Sequence, residues 1–402
     1  MATTNAGQTQ WLSSEEAARR LGVKLGTLYS YVSRGVVRSI AGPDGRSSRF
    51  DRADIEAMLT RRRSNPGGGA ETVLASAITR LSEDGVQYRG RSVDDLARTH
   101  TFEEVASLLW QVEPAPTPWP VAPLDLPSTP QGSLSDRLRI AVALAATSDP
   151  HRHDLRPASV VVSARRLVAS AVEALPLTCS PAPALVVGER RVDGSIAAAL
   201  AARLGGPRPS RATVSAVNTA LVLLADHELA TSTYAARVAA STRADVYSAV
   251  LAGAACNGPL HMGAGRDAGL LLRDSAERGA AEAVGDWLRS GRPLPGFGHK
   301  IYRADPRFTR LFAVVEAAGF PQARIALVRE VLALAAGRIP VPPNIDTALA
   351  ALAYCADFHL DATEAIFVVA RMAGWVAHAL EEYGEAPLRF RTRGLYVGPR
   401  DG

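Results

Sequence analysis

Three short segments in the C-terminal half of the chain carry residues that could take part in proton transfer. CNGPLHMGAG holds His261, PGFGHKIYRADPR (295–307) holds His299, and PPNIDTAL holds Asp346. Histidine and aspartate are common general acids and bases in proteins. Each segment alone is weak support for a site, because a lone histidine is more often structural and Gly-Pro is more often a turn. The three become informative through their order and their neighbours in the sequence.

The elements around these segments are predicted to be helices. Apolar residues recur every three or four positions through 161–175 and again through 366–380, which is the period of an α-helix. Strand-like alternation is scarce, and residues 113–132 hold seven of the 26 prolines and cannot be helical. The fold class predicted for the large part of the chain is therefore all-α. With 402 residues, the chain has room for two or three domains.

Composition limits the class of protein. Hydrophobic residues make up 47% and charged residues 21%, as in globular proteins, and we expect no membrane-spanning run. The first ten residues have neither a basic region nor an apolar run, so no secretion signal is expected. Cys179, Cys256 and Cys355 are odd in number and far apart, which fits neither a disulfide framework nor a zinc site. These features favour a cytoplasmic location.

The excess positive charge is confined to the N-terminus. Residues 1–66 carry eleven basic and six acidic side chains, so the net charge of this segment, +5, equals that of the whole chain. This asymmetry favours an anionic partner for the N-terminal segment alone. The sequence NPGGGAE (65–71) marks a flexible break between this segment and the neutral remainder.

The basic segment is predicted to form a helix-turn-helix followed by a wing. Ser13 and Glu16 form a capping box for a first helix, and a second helix is expected from about Leu25 to Arg34. VVRSIAGPDGRSSRF predicts a hairpin, and Asp51 is the expected N-cap of a third helix.

This layout resembles the small winged helix-turn-helix modules of the MerR and excisionase type, over roughly residues 11–62. In that family the second helix enters the major groove of DNA. The alternative is a solvated three-helix module used for protein contact. The resemblance implies DNA contacts from the second helix and phosphate contacts from the wing, made by Lys24, Thr27, Ser30, Arg34, Arg46 and Arg49.

Residues 70–402 resemble the citrate synthase family. LSEDGVQYRGRSVDDLARTHTFEEVASLLW, LLADHELATSTYAARVAASTRADVYSAVLAGAACNGPLHMGAG, PGFGHKIYRADPR, PPNID, FVVARMAGWVAH and RFRTRGLYVGP occur in that family's order. The resemblance implies the condensation of acetyl-CoA with oxaloacetate and water to give citrate and CoA, with no bound cofactor and no metal.

The two resemblances together predict the domain organisation. Residues 1–10 are expected to be a disordered N-terminus, 11–63 a winged helix-turn-helix domain and 64–71 a linker. Residues 72–402 are expected to form the citrate synthase domain, a large helical domain with a small helical domain of approximately 264–358 inserted in it.

The resemblance also implies roles for the residues of the three segments. The hard step takes a proton from the methyl group of a thioester, a very weak carbon acid, and Asp346 matches the family's base. His261 matches the residue that stabilises the enolate, and His299 the residue that polarises the oxaloacetate carbonyl. Burial beside apolar neighbours such as Ile345 should raise the pKa of Asp346.

Oxaloacetate is a dianion, and the resemblance implies a cationic cradle of His227, Arg307, Arg371 and Arg391. Arg371 lies in an apolar helical run, where an unpaired guanidinium is costly. A carboxylate ligand is one physical reason for its presence, and an ion pair with a buried acid is the alternative. Arg391 matches an arginine that the family supplies from the partner subunit, which implies a homodimer with shared active sites.

The glycines of the second segment are implied to serve CoA binding. Glycine lacks a side chain and lets the backbone approach a ligand closely. The segment that the resemblance assigns to CoA consists of Pro295, Gly296, Phe297 and Gly298.

Three departures from the family pattern put rate and substrate preference in question. Leu224 stands in place of a second histidine, Met262 follows His261, and the spacing from His299 to Arg307 is one residue shorter than usual. Two other functions stay open. One is a metabolite-sensing transcriptional regulator with a citrate-synthase-like body, and the other is a 2-methylcitrate synthase that uses propionyl-CoA.

Overall fold

The computed structural model describes residues 11–21, 23, 25–33, 36–42, 47–55, 74–82, 85–126, 132–177, 194–258 and 261–391. The chain divides into two compact units, Met1–Ala75 and Ser76–Gly402. The expected disordered segment 1–10 and linker 64–71 lie outside the described residues.

The N-terminal unit contains a three-stranded antiparallel sheet and two helices. Its elements are β1 (Trp11–Ser13), α1 (Ser14–Leu21), α2 (Leu25–Ser33), β2 (Ser39–Ala41) and β3 (Ser48–Asp51), with β3 in the middle of the sheet. Strand β1 was not predicted, because three residues are too few to show an alternating pattern. The chain is helical again at 52–55, the last described residues of this unit before 74.

The predicted caps of this unit are confirmed. The Glu16 amide donates to Ser13 Oγ at 3.2 Å, as the first half of a capping box does. The amides of Ala53 and Asp54 donate to Asp51 Oδ1 at 2.8 and 3.2 Å, so Asp51 caps the third helix. The predicted hairpin exists as the antiparallel pair β2–β3, whereas its Pro-Asp-Gly turn lies outside the described residues.

The C-terminal unit begins with a small antiparallel sheet and continues as helices. The sheet is β4 (Thr79–Ser82), β5 (Gly85–Tyr88) and β6 (Arg91–Ser92), in that order. The helices are α3 (Val93–Thr99), α4 (Phe102–Trp110), α5 (Leu134–Thr147), α6 (Pro157–Glu173), α7 (Ile196–Gly205), α8 (Arg211–Leu224), α9 (Thr231–Ser241), α10 (Val246–Ala254), α11 (Ala264–Arg278), α12 (Ala280–Arg289), α13 (Pro306–Ala317), α14 (Gln322–Ala336), α15 (Ile345–Cys355) and α16 (Ala362–Tyr383). The predicted all-α class is confirmed for this unit.

Helix α16 forms the centre of the large core. Its 22 residues are buried over almost their whole length, and the buried set includes Arg371 and His378 among mostly apolar side chains. A side chain at Gly374 would collide with the Ala225 carbonyl, and the Gly374 amide donates to that carbonyl at 2.9 Å. This close approach places the segment after α8 directly against the middle of α16.

Helices α11 to α15 pack on one another, and His261, His299 and Asp346 precede or begin three of them. Residues Ser76–Gly402 nevertheless form one compact unit, and a separate small domain at approximately 264–358 stays a prediction. In the parts of the chain that the structure describes, no helix has both the length and the apolar character required to cross a bilayer.

Candidate active site

Side chains from five places in the C-terminal unit converge at one site. His227 lies in the loop between α8 and α9, and His261 lies just before α11. His299 precedes α13, Asp346 lies in the first turn of α15, and Arg371 lies midway along α16. The charges of Arg307, Arg371, His299 and His261 all act on the pKa of His227, which places these groups around it.

His227 is buried, and its surroundings keep it neutral. Burial, followed by the charges of Arg307 and Arg371, holds the pKa of His227 well below its ordinary value. Its Nε2 is hydrogen-bonded to the Tyr302 hydroxyl at 2.8 Å. The ring of His227 also meets that of His299 edge-on, with centroids 5.6 Å apart.

The segment that precedes His227 is fixed by hydrogen bonds in the core. Thr79 Oγ1 donates to Asp226 Oδ2 at 2.5 Å, and the Tyr88 hydroxyl donates to the Asp226 carbonyl at 2.8 Å. The amide of Glu228 donates to Asp226 Oδ2 at 3.2 Å. His227 therefore projects from a rigid turn.

The hydrogen bonds of His299 define its tautomer. Its Nδ1 accepts from the backbone amides of Ile301 at 3.1 Å and Tyr302 at 3.3 Å. Burial and the charge of Arg307 lower the pKa of His299, so the ring is neutral and its proton lies on Nε2. Arg307 Nη2 lies 3.4 Å from this Nε2, and both atoms are donors. Two adjacent donors suit one oxygen acceptor placed between them.

Arg307 is buried and paired with Asp305. Its Nε and Nη2 donate to Asp305 Oδ1 and Oδ2, both at 2.9 Å. Burial alone would raise the pKa of Asp305, but the Arg307 charge and its hydrogen bonds outweigh this and lower it. The Ile345 amide donates to Asp305 Oδ2 at 3.1 Å, so Asp305 joins the His299–Arg307 segment to the start of α15. The short spacing does not separate Arg307 from His299.

Arg371 is buried and incompletely paired. Its Nε donates to the Leu224 carbonyl at 2.9 Å, and its guanidinium lies 4.7 Å from the centre of the Phe367 ring. Its Nη1 has no hydrogen-bond partner among the described residues, and none of their carboxylates lies within 4.0 Å of it. The predicted alternative of a buried acid is present only at longer range: burial lowers the pKa of Arg371, and the charge of buried Asp226 acts against this without a direct contact. Nη1 is left free to bind an anionic ligand.

His261 is half-buried beside an aromatic wall. Its Nε2 is hydrogen-bonded to Ser232 Oγ at 3.0 Å, and its ring meets Phe367 edge-on at 5.7 Å between centroids. Burial and then the charge of Arg371 lower the pKa of His261 to about 4. The ring is neutral at neutral pH. Met262, the departure next to it, is 1% exposed and belongs to the hydrophobic core.

Asp346 has the pKa of a usable base. Its residue surface is partly exposed, yet the dense surroundings desolvate the carboxyl and raise its pKa to about 6, against the lowering influence of Arg307. The amide of Asp346 donates to Asn344 Oδ1 at 2.9 Å, which caps α15. A Cβ on Gly265 would lie 3.7 Å from Asp346 Oδ1, so the carboxyl lies beside the start of α11, four residues after His261.

The glycine segment is held against the chain before α15. Gly296 and Gly298 have φ angles of +81° and +78°, which glycine adopts without strain, and a side chain at Gly296 would collide with Thr347 Oγ1. Asn344 Nδ2 donates to the Gly298 carbonyl at 2.7 Å. A cavity of about 360 Å³ opens beside the segment and is lined by Phe297, Phe308, Phe312, Leu332, Val341 and Pro342.

The remaining predicted residues lie elsewhere. Arg391 is exposed and makes no hydrogen bond to the described members of the site, while its neighbour Phe390 meets the Tyr234 ring at 5.4 Å. In the N-terminal unit, Thr27 is exposed, and Ser30 and Arg49 are partly exposed. The other three predicted DNA contacts, Lys24, Arg34 and Arg46, lie outside the described residues.

Several residues of the site were not found from the sequence. Asp305 and Tyr302 lie inside PGFGHKIYRADPR, and the Asp-Pro pair was a signal for a helix N-terminus that could have drawn attention to Asp305. Ser232 and Phe367 had no distinguishing pattern. The described residues include no group of three or more histidine, cysteine or acidic side chains that could hold a metal ion.

Comparison with known proteins gives two family matches. The family model "Citrate synthase, C-terminal domain" matches residues 69–393, and the "Helix-turn-helix domain" model matches residues 11–63. The chain is 30% identical to "Citrate synthase 2" of Bacillus subtilis, over 82% of this chain and 95% of that protein. It is 29% identical to "2-methylcitrate synthase" of Mycobacterium tuberculosis, over 81% and 88%. The crystal structure of citrate synthase from Pyrobaculum aerophilum superposes with a TM-score of 0.66 at 26% identity, over 82% and 91% of the two chains.

Proposed function

This chain belongs to the citrate synthase family, and we propose that it condenses acetyl-CoA with oxaloacetate and water to give citrate and CoA. The observation that carries the proposal is the pairing of neutral donors with a buried cation whose hydrogen bonds are incomplete. The Nε2 proton of His299 lies beside Arg307, and Arg371 Nη1 has no partner among the described residues. Such a set suits a small dianion that also carries a carbonyl oxygen.

Asp346 would begin the reaction by taking a proton from the methyl group of acetyl-CoA. A carboxyl whose pKa is about 6 is ionised at neutral pH and is more basic than an ordinary aspartate. The electron pair of the broken C–H bond moves into the thioester and forms an enolate. Neutral His261, whose Nε2 is engaged by Ser232, would donate from Nδ1 to the enolate oxygen.

The enolate carbon would then attack the carbonyl carbon of oxaloacetate. His299 Nε2–H and Arg307 donate to the carbonyl oxygen as it gains negative charge, and Arg371 holds a carboxylate. The alkoxide then takes the Nε2 proton of His299, which solvent replaces, and the product is a thioester of citrate and CoA. Water attacks the thioester carbonyl, the C–S bond breaks, and the CoA thiolate leaves and is protonated.

The CoA moiety is proposed to lie along the glycine segment. The apolar cavity beside this segment suits a flat adenine ring, and Gly296 lets the segment pack closely against Thr347 beside that cavity. Arg391 is proposed to complete the oxaloacetate site of a partner subunit in a homodimer, because it is exposed and makes no hydrogen bond to the described members of the site in its own chain.

Acetyl-CoA is proposed as the acyl donor in preference to propionyl-CoA. Phe367 lies against both His261 and Arg371, so its ring lines the site beside the proposed enolate-binding histidine and can limit the length of the acyl chain. One extra methylene is worth about 1–3 kcal/mol in such a pocket, or roughly tenfold to a hundredfold in kcat/KM.

A thiol-release assay tests the proposed reaction. Purified protein should release CoA only when oxaloacetate is present, with a kcat/KM for acetyl-CoA at least about tenfold above that for propionyl-CoA. Mass spectrometry should identify citrate. A preference for propionyl-CoA would instead establish a 2-methylcitrate synthase, and the absence of CoA release with either donor would remove the enzyme assignment.

We propose DNA binding as a second function, for the N-terminal unit. Two observations favour it: the helix-turn-helix match over residues 11–63 and the net charge of +5 in residues 1–66. The partly exposed Arg49 lies on β3, next to the hairpin turn, where it can reach a phosphate. If the body is a homodimer, the site on DNA should be an inverted repeat.

Replacing Arg49 by alanine should weaken DNA binding and reduce its dependence on salt. Loss of one phosphate contact makes the negative slope of log K against log salt shallower by about 0.9. Fluorescence anisotropy with genomic fragments at several salt concentrations measures both effects, and Arg80→Ala, an exposed arginine of the other unit, is the matched control. Equal slopes for the two variants would contradict a role of the wing. DNA affinity that changes with oxaloacetate or CoA would identify a metabolite-sensing regulator.

A further inference from the structure

Tyr302 contacts three of the proposed substrate-binding side chains at once. Its hydroxyl is hydrogen-bonded to His227 Nε2 at 2.8 Å, and its ring is stacked on His299 with centroids 4.6 Å apart. The guanidinium carbon of Arg307 lies 5.5 Å from the centre of the same ring. Tyr302 is 8% exposed, so it packs against these side chains from the protein interior.

We propose that Tyr302 is a positioning residue that selects the tautomer of His227 and holds the imidazole plane of His299, so that both rings present N–H donors to oxaloacetate. The proposal rests on the proposed function for the identity of the ligand. The hydrogen bond and the ring contacts of Tyr302 all lie within one chain.

The direction of the Tyr302–His227 hydrogen bond follows from the charge of the ligand. Burial raises the pKa of Tyr302 to about 12, so the phenol keeps its proton. If that proton is donated to Nε2, the proton of the neutral His227 ring must lie on Nδ1, which has no partner among the described residues. The reverse arrangement would turn the lone pair of Nδ1 outward and repel a dianion. A site for oxaloacetate therefore requires the first arrangement.

The stacked ring fixes the second histidine. His299 accepts two backbone amides at Nδ1, but these two bonds leave the ring free to tilt about them. The ring of Tyr302 lies nearly parallel to that of His299, with 29° between their planes, and restricts the tilt. The hydroxyl and the ring of Tyr302 thus have separable effects.

Two variants separate these effects. Tyr302→Phe keeps the ring and removes the hydroxyl, and should raise the KM for oxaloacetate about tenfold with kcat changed less than about twofold. Tyr302→Leu removes both and should also lower kcat by about a hundredfold, because a misplaced donor at the carbonyl slows the chemical step. Tyr354→Phe, a partly buried tyrosine in α15 whose ring lies near Arg324, is the matched control and should leave both constants unchanged.

NMR of the histidine ring nitrogens gives a readout that does not depend on activity. The His227 signals, assigned with a His227→Asn variant, should show the Nδ1–H tautomer in the wild type and a shift toward the Nε2–H tautomer in Tyr302→Phe. An unchanged tautomer, or a KM for oxaloacetate equal to that of the wild type, would overturn the positioning role. A wild-type protein without oxaloacetate-dependent CoA release would refute the proposed function instead, while the tautomer comparison would still decide the role of Tyr302.

Discussion

Replacement of Asp346 by alanine should reduce kcat by about a thousandfold, within the usual range for loss of a positioned general base. The variant should keep its fold and its KM for oxaloacetate, because Asp346 is partly exposed and the amide cap of α15 is supplied by Asn344. The loss should appear in the CoA-release assay at saturating concentrations of both substrates. Asp125→Asn, at an exposed position, is the matched control and should match the wild type.

The pH profile of the wild type gives a second measurement of the same residue. The pKa of Asp346 is raised to about 6, and only the ionised carboxylate can accept a proton. The value of kcat/KM should therefore be constant above pH 6 and fall about tenfold per pH unit below it. A profile that stays flat down to pH 4.5, or an Asp346→Ala variant with wild-type kcat, would show that another group is the base.

Replacement of Arg371 by methionine should raise the KM for oxaloacetate by about a hundredfold to a thousandfold. Arg371 is 1% exposed, and its Nη1 has no hydrogen-bond partner among the described residues, so this donor is available to a carboxylate of the ligand. Initial rates over a range of oxaloacetate concentrations measure the effect. Arg371→Lys keeps the charge but loses the planar guanidinium, and its KM for oxaloacetate should lie between those of the wild type and Arg371→Met.

Thermal unfolding separates a binding role of Arg371 from a structural one. Methionine fills similar space without a desolvated charge, which should offset the lost bond to the Leu224 carbonyl and the lost attraction to buried Asp226. The midpoint of Arg371→Met should therefore lie within a few degrees of that of the wild type. Arg211→Met, an exposed arginine at the start of α8, controls for the loss of a positive charge. A lower midpoint together with an unchanged KM would assign Arg371 to structure alone.

Local patterns in the sequence were sufficient to predict the helical class of the C-terminal unit and the caps of the N-terminal unit. Period and capping are properties of neighbouring residues, and Ser13 and Asp51 cap as expected for that reason. The three-residue strand β1 was missed because its existence depends on pairing with β3, about 40 positions away. The strands β4, β5 and β6 have only two to four residues, which is too short for an alternating pattern to show in the sequence.

The site was predictable where residue types repeat a known order, and not where it depends on contacts across the fold. Nothing near Tyr302 in the sequence indicates His227, which lies 75 positions away and contacts it only in the folded chain. Whether Arg371 had a buried acidic partner was likewise undecidable, because the answer depends on which side chains the fold brings near α16.

The carboxylate of Asp305 has a consequence for engineering this protein. It accepts a hydrogen bond from Arg307, which is proposed to bind the oxaloacetate carbonyl. It also accepts the backbone amide of Ile345, next to Asp346, the proposed base. Asp305 thus links the segment proposed to bind oxaloacetate to the helix start that carries the proposed base. To change the acyl-CoA preference with residues from a relative, 295–307 and 342–347 would have to be exchanged together. If only one of them were exchanged, the bond between Asp305 and the Ile345 amide would join segments that did not evolve together.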